Sequence, residues 1–237
     1  MVKKSGYQPT VYVLHGWAID PQNQDKWQPL LDALAKFNIF TKFLFLPGLS
    51  QPLDQVWTLT DYVNWLAEQL KDQQEVILLG HSFGGQLAIR YATTHPQQVK
   101  KLILIANSGL RDWSVKARIK RSLFYVLAKL GKLLVGGVFF RRLIYKLARE
   151  TDYLKANPVQ RQTMINVLED EIRADLSKVS CPTLIIWGQN DQTTPLKNAQ
   201  LVKKQINNSQ LKVISEARHS PQFTDANAVA KLIKEFV

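Results

Sequence analysis

The chain is organised around Gly80-His81-Ser82-Phe83-Gly84-Gly85, a glycine-rich stretch that follows the apolar run at 76–79. After it, apolar residues recur at the spacing of one helical face over 87–92. A serine between a strand and a helix, with a glycine two positions away on each side, is typical of a nucleophile elbow. We expect a turn so tight that a side chain at Gly80 or Gly84 would collide with neighbouring backbone. Such a turn would lift the Ser82 hydroxyl clear of the sheet.

Length and composition indicate one α/β domain with a sizeable core, because the chain has 237 residues, of which 46% are hydrophobic and 21% charged. The one cysteine, Cys181, excludes an internal disulfide framework and fits a reducing compartment. The N-terminus is basic but lacks the apolar stretch of a signal peptide, and no run approaches the roughly 18 apolar residues of a membrane span. We therefore expect a soluble, cytoplasmic protein.

Strand-like and helical patterns alternate along most of the chain. Apolar, strand-like runs occur at 10–14, 39–46, 76–79, 102–106, 183–187 and 211–214. Helical periodicity follows at 25–37, 60–71, after the elbow up to His95, at 196–206 and from about 224 onward. Alternation with uninterrupted apolar strands predicts a mostly parallel central sheet with helices on both faces. Lys42 and Lys212 interrupt two of the runs, which predicts those strands at the sheet edges.

Residues 108–175 break this alternation and are helical in period. We interpret them as a helical cap, or lid, inserted over the carboxyl edge of a core formed by 1–107 and 176–237. Between 111 and 150, eleven Lys and Arg residues stand against two Asp and Glu, a net charge of +9 out of +12 for the whole chain. That segment is either a solvated face or a docking surface for an anionic membrane or an acidic carrier protein. We do not expect nucleic acid as a partner, because no recognised binding motif accompanies the charge.

Three residues complete the pattern of a nucleophilic hydrolase. A serine hydroxyl needs a base, usually a histidine whose tautomer is held by a carboxylate. Asp191 follows one apolar strand and His219 follows the next, and the order Ser82, Asp191, His219 matches the Ser…Asp…His order of one hydrolase class. Read alone, Asp191 could be a turn residue or a helix N-cap, and His219 an ordinary loop histidine. Their combination with Ser82 favours catalysis.

Catalysis also needs donors for the developing oxyanion. The backbone N–H of Phe83, at the start of the elbow helix, is the first candidate. The second should come from the loop after the first strand, His15-Gly16-Trp17, where Gly16 permits a close turn and Trp17 supplies the N–H. We interpret His15 as a structural residue of that loop, and His81 as a residue that shapes the elbow.

Four motifs resemble those of the α/β-hydrolase fold superfamily. They are H-G-W at 15–17, G-H-S-F-G-G at 80–85, P-T-L-I-I-W-G-Q-N-D at 182–191 and R-H-S-P at 218–221. The resemblance covers essentially the whole chain. It implies Ser82 as nucleophile, His219 as base, Asp191 as its orienting carboxylate, and Trp17 and Phe83 as backbone oxyanion donors.

The tryptophan after His-Gly is similar to that of bacterial carboxylesterases of the pimeloyl-carrier-protein methyl ester type. The loop at 46–50 departs from the family pattern, because Leu46 stands where many relatives carry an aspartate.

The leading hypothesis is a serine hydrolase that cleaves a small-molecule carboxylic ester or thioester through an acyl-enzyme on Ser82, without metal or organic cofactor. Its activity should fall where acid protonates the histidine base. One alternative is a lipid- or acyl-carrier-directed hydrolase that docks through its basic lid. Another is a catalytically silent binding protein on a hydrolase fold, since fold alone does not imply function.

Overall fold

A six-stranded parallel sheet forms the centre of the molecule. The computed structural model describes residues 10–20, 22–111 and 156–237. The strands are β1 Val11–Leu14, β2 Thr41–Leu44, β3 Val76–His81, β4 Val99–Ile105, β5 Thr183–Gly188 and β6 Ser209–Ile214. They lie in the order β2-β1-β3-β4-β5-β6, and every neighbouring pair is parallel. The predicted α/β class is confirmed, and the strands that contain Lys42 and Lys212 are the two edges.

Helices cover both faces of this sheet. Successive side chains of a strand point to opposite faces, and every residue of β1, β3 and β5 is buried, so neither face of the central strands is open. The helices are α1 Asn23–Ala35, α2 Leu59–Leu70, α3 Phe83–Thr94, α4 Pro158–Glu169, α5 Arg173–Leu176, α6 Leu196–Gln205, α7 Pro221–Thr224 and α8 Ala226–Phe236. Helix α1 contacts α7 and α8, whereas α2 contacts α3.

Element ends differ from the sequence-based expectation by a few residues. Strand β4 begins at Val99 instead of 102, because Val99 pairs with Val76 and Lys101 with Ile77. Backbone pairing therefore extends the strand through polar residues that an apolar pattern excludes. Helix α2 begins after Thr58, whose hydroxyl accepts a hydrogen bond from the Asp61 N–H in a capping box.

The strand order places the functional loops. From β1 the chain forms β2 on one side and then returns to form β3 on the other side of β1. Ligands bind outside the carboxyl ends of parallel strands where the order reverses in this way. The loop after β1, at 15–17, and the turn after β3, at 82–83, therefore lie side by side.

The insertion predicted at 108–175 leaves the core after β4 and returns through α4 and α5. Residues 112–155, which carry most of its basic charge, lie outside the described residues. The limits of the cap at 108 and 175 remain predictions. Among the helices that the structure describes, none is long and apolar enough to cross a membrane.

Candidate active site

Ser82 has the strained backbone of a nucleophile elbow. Its φ of 51° and ψ of −115° lie in a region that residues with side chains seldom adopt. The turn is held from both sides: the Ser82 N–H donates to Ile105 O at 3.0 Å, and the Ser82 carbonyl accepts from the N–H groups of Gly85 and Gln86. Strain of this kind persists only where surrounding structure fixes it, and it clusters at functional sites.

Close backbone contact at Gly80 and Gly84 leaves no room for a side chain at either position. A Cβ on Gly80 would lie 2.4 Å from Gly84 O. A Cβ on Gly84 would lie 2.0 Å from Leu14 O, at the end of β1. Both distances are far below van der Waals contact. The first turn of α3 therefore rests directly on the end of β1, where the predicted oxyanion loop at 15–17 begins.

The predicted oxyanion loop is packed against the serine. A Cβ on Gly16 would lie only 3.1 Å from Ser82 Cβ and 2.8 Å from His81 Nδ1. The rings of Trp17 and Phe83 meet edge to face, with centroids 5.8 Å apart. The two residues predicted to supply oxyanion donors are thus neighbours beside Ser82, and their role as donors remains a prediction.

Hydrogen bonds of the His15 side chain join the loop at 15–17 to the loop after β2, at 46–50. Its Nδ1–H donates to Gly16 O at 2.8 Å, which leaves Nε2 to accept from the Leu46 N–H at 3.1 Å and the Ser50 hydroxyl at 2.6 Å. Burial lowers the pKa of His15 to about 4, although its bond to Gly16 O acts in the opposite direction. His15 is therefore neutral and structural. Its partner Ser50 was not identified from sequence, because only the fold brings 46–50 to this loop.

A hydrogen bond joins Asp191 and His219, the residues predicted as orienting carboxylate and base. His219 Nδ1 lies 2.9 Å from Asp191 Oδ2, and the Asp191 side chain is fully buried whereas that of His219 is 21% exposed. Burial alone would raise the pKa of Asp191. Hydrogen bonding and charge interaction with His219, together with bonds from Thr194, outweigh burial and lower it. The carboxylate is therefore ionised and holds the Nδ1–H tautomer, which leaves Nε2 free to accept a proton.

Two further residues that sequence reasoning missed support this pair. The Thr194 hydroxyl donates to Asp191 Oδ2 at 2.8 Å, and its N–H donates to Oδ1 at 2.9 Å. A Cβ on Gly188, at the end of β5, would lie 2.0 Å from Arg218 O, so the two loops touch backbone to backbone. The only sequence signal for these roles was that both residues lie three positions from Asp191 along the chain.

His81 connects the elbow to the loop that carries His219. Its Nε2–H donates to the carbonyl of His219 at 3.0 Å, and the two rings lie with centroids 5.0 Å apart. Burial and the neighbouring His219 lower the pKa of His81 to about 3, so it is a neutral donor. Because Ser82 directly follows His81 in the chain, the serine also lies near the loop that carries His219. Within the described residues no hydrogen bond joins Ser82 Oγ to the His219 ring, and such bonds often tighten only when substrate is bound.

Comparison with known proteins adds the family. Residues 48–225, which run from the loop after β2 to the residue before α8, match the family model Hydrolase_4, described as serine aminopeptidase, S33. The chain belongs to this family. The S33 chain is 26% identical over 241 residues to the pimeloyl-[acyl-carrier protein] methyl ester esterase of Nitrosomonas europaea, covering 93% of this chain and 92% of that protein. It is also 24% identical to the monoacylglycerol lipase ABHD6 of Mus musculus, covering 99% of this chain and 77% of that one.

Solved structures support the fold of the S33 chain. A putative lipase (lip1) from Acinetobacter baumannii superposes with a TM-score of 0.72 at 19% identity, covering 98% of this chain and 84% of that one. MenH from S. aureus superposes with a TM-score of 0.69 at 20% identity, covering 97% and 93% of the two chains. MGS-MChE2, an alpha/beta hydrolase enzyme from a sediment metagenome, superposes with a TM-score of 0.68 at 22% identity, covering 98% of this chain and 91% of that one. This likeness confirms the α/β-hydrolase fold expected from the motifs.

Proposed function

We propose that this S33-family chain is a serine hydrolase that cleaves carboxylic esters or thioesters through an acyl-enzyme on Ser82. The observation that carries the proposal is the 2.9 Å bond between buried Asp191 and partly exposed His219, on loops that meet the strained Ser82 elbow. An aspartate that holds the imidazole tautomer, next to a serine lifted out of the sheet, is the arrangement that acyl transfer requires.

The proposed reaction assigns a role to each residue of the site. Ser82 Oγ attacks the acyl carbonyl, its proton passes to His219 Nε2, and Asp191 stabilises the resulting imidazolium. The Trp17 and Phe83 N–H groups bind the oxyanion. His219 then gives the proton to the departing alkoxide or thiolate. Water repeats the sequence on the acyl-enzyme and releases the carboxylic acid, and the proton returns to Ser82.

A fluorophosphonate probe tests the proposal directly, because only an activated serine reacts quickly with it. We expect covalent labelling of Ser82, shown by peptide mass spectrometry, and none in Ser82→Ala. Ser177→Ala, which changes an exposed serine after α5, is the matched control and should label like the wild type. A wild-type protein that is folded but does not label would favour the silent binding protein instead.

The scissile bond is tested with a panel of acyl esters and thioesters of graded chain length, assayed beside amides of the same acyl groups. The family description names an aminopeptidase, whereas the relatives compared are named as an esterase and a lipase. We expect ester and thioester hydrolysis that disappears in Ser82→Ala. Amide cleavage that exceeds ester cleavage would overturn the proposed substrate class.

The basic segment supports a second candidate, a hydrolase that docks on an acidic carrier protein or an anionic membrane. Its support is the net charge of +9 between 111 and 150, together with a relative whose name specifies a carrier-linked ester. Flotation with anionic and neutral liposomes, and binding to an acidic acyl carrier protein, separate the two partners. Salt-sensitive binding to one of them supports docking. No binding to either means that the segment is a solvated face.

A further inference from the structure

Gln86, one turn after Ser82 on α3, bridges the two ends of the insertion. Its side chain is fully buried. Nε2 donates to Val167 O at 3.0 Å and to Asp170 O at 2.8 Å, while Oε1 accepts from the Ser108 hydroxyl at 3.0 Å. The amide therefore joins the segment that leaves β4 to the segment that returns through α4, with both of its donors used.

Ser108 in turn contacts the backbone of Ser82. The Ser108 N–H donates to Ser82 O at 2.9 Å, beside the bonds from the N–H groups of Gly85 and Gln86. That carbonyl belongs to the same peptide unit as the Phe83 N–H. Because a peptide unit is planar and trans, a carbonyl fixed in direction also fixes the N–H on its opposite side. Ser108 thus helps to set where the Phe83 N–H points.

The surroundings hold this bridge in place. The Ile172 N–H donates to Gly109 O at 2.9 Å, which pairs the outgoing and returning segments. Gly109 has a φ of 85°, and a Cβ there would lie 2.7 Å from Gln86 Cγ. Arg90, one turn further along α3, binds Asp170 and Asp175 at 2.7 Å each. The returning segment is therefore fixed to α3 at two successive turns.

We propose that Gln86 is a positioning residue for the oxyanion hole. It holds Ser108, and Ser108 holds the peptide between Ser82 and Phe83, so the start and end of the insertion are coupled to the group that stabilises the transition state. This inference rests on the proposed function, because it takes the Phe83 N–H as an oxyanion donor.

Gln98 provides a matched control for Gln86. It is another glutamine whose Nε2 donates to two carbonyls, those of Leu70 at 2.8 Å and Gln73 at 2.7 Å, and whose Oε1 accepts from a hydroxyl, that of Tyr91. It lies before β4, at the end of the sheet opposite the elbow. Gln86→Leu and Gln98→Leu therefore each remove two bonds to backbone carbonyls and one bond from a hydroxyl, at opposite ends of the sheet.

The kinetic test compares these two variants on a short-chain ester. We expect Gln86→Leu to lower kcat and kcat/KM by the same factor of about ten, a fraction of the effect of deleting an oxyanion donor, with KM within about twofold. Gln98→Leu should keep wild-type kinetics at temperatures where both variants are folded. Equal kinetics in the two variants would overturn the proposal. So would a Gln86→Leu effect confined to KM.

Hydrogen exchange gives a readout that does not depend on activity. In Gln86→Leu, peptides that contain Ser108 and Ile172 should exchange faster than in Gln98→Leu. Faster exchange with unchanged kcat would overturn the oxyanion role. A wild-type protein that does not react with the fluorophosphonate probe would overturn the proposed function, whereas selective exchange would still support the bridge. If Gln86→Leu does not fold, Ser108→Ala, which removes only the hydroxyl, should lower kcat by about threefold.

Discussion

Acid should destabilise this protein through His15, and the structure sets the size of the effect. Burial holds the pKa of His15 at about 4, against an ordinary value of 6.5 in the unfolded chain. Between these two pH values the His15 imidazole binds a proton in the unfolded state but stays neutral in the folded state. The free energy of unfolding therefore falls as the pH is lowered. Because proton binding is linked to unfolding, the free energy of unfolding should fall by about 2 kcal/mol from pH 8 to pH 5. At pH 4 the fall should reach about 3 kcal/mol.

The contribution of His15 is isolated by comparison with His15→Asn. Urea unfolding of both proteins at pH 8, 6, 5 and 4, followed by intrinsic tryptophan fluorescence, gives the free energy of unfolding at each pH. At pH 8 the variant should be less stable by about 1–3 kcal/mol, because at least one of the bonds to Gly16, Leu46 and Ser50 is lost. This gap should narrow by about 2 kcal/mol at pH 5, because asparagine does not titrate.

The result that refutes this reasoning is a pair of parallel curves. If wild type and His15→Asn lose the same stability between pH 8 and pH 4, His15 is not held neutral by the fold. His81, whose pKa burial and His219 lower to about 3, contributes acid sensitivity in the same direction to both proteins. Most of its effect therefore cancels in the comparison, because His15 is the smallest of the contributors to the pKa shift of His81.

Three further predictions test other parts of the structure. Thr194→Val should lower the free energy of unfolding in urea by about 2 kcal/mol and slow labelling by the fluorophosphonate probe, because it removes a hydrogen bond to the buried Asp191 carboxylate. Unchanged labelling would show that Thr194 does not support Asp191. Gly84→Ala should lower the free energy of unfolding by about 3 kcal/mol or more, since the added Cβ would lie 2.0 Å from Leu14 O. An unchanged midpoint of urea unfolding would contradict that contact. Cys181 is buried and burial raises its pKa to about 11, so a thiol reagent at pH 8 should react about a hundredfold faster after unfolding; equal rates would contradict its burial.

Much of the fold could be predicted from sequence because local chemistry decided it. Four apolar runs indicated central parallel strands, and a lysine within each of two other runs indicated the edges, because the stretch of a strand that is buried on both faces excludes a charge. The beginning of β4 could not be predicted this way. Val99 and Lys101 join the strand because β3 offers backbone partners, and a partner strand is not visible in local sequence.

In the candidate site, too, some features follow from local sequence and others only from the tertiary structure. Sequence determined the residue types of Ser82, Asp191 and His219, their order, and the need for glycine at the elbow, since each follows from the chemistry of acyl transfer or from the geometry of a tight turn. Tertiary structure alone decided that Thr194 supports the carboxylate, and that Gln86 holds Ser82 through Ser108. These contacts join residues far apart in sequence or turn on hydrogen-bond geometry, which only the packed backbone determines.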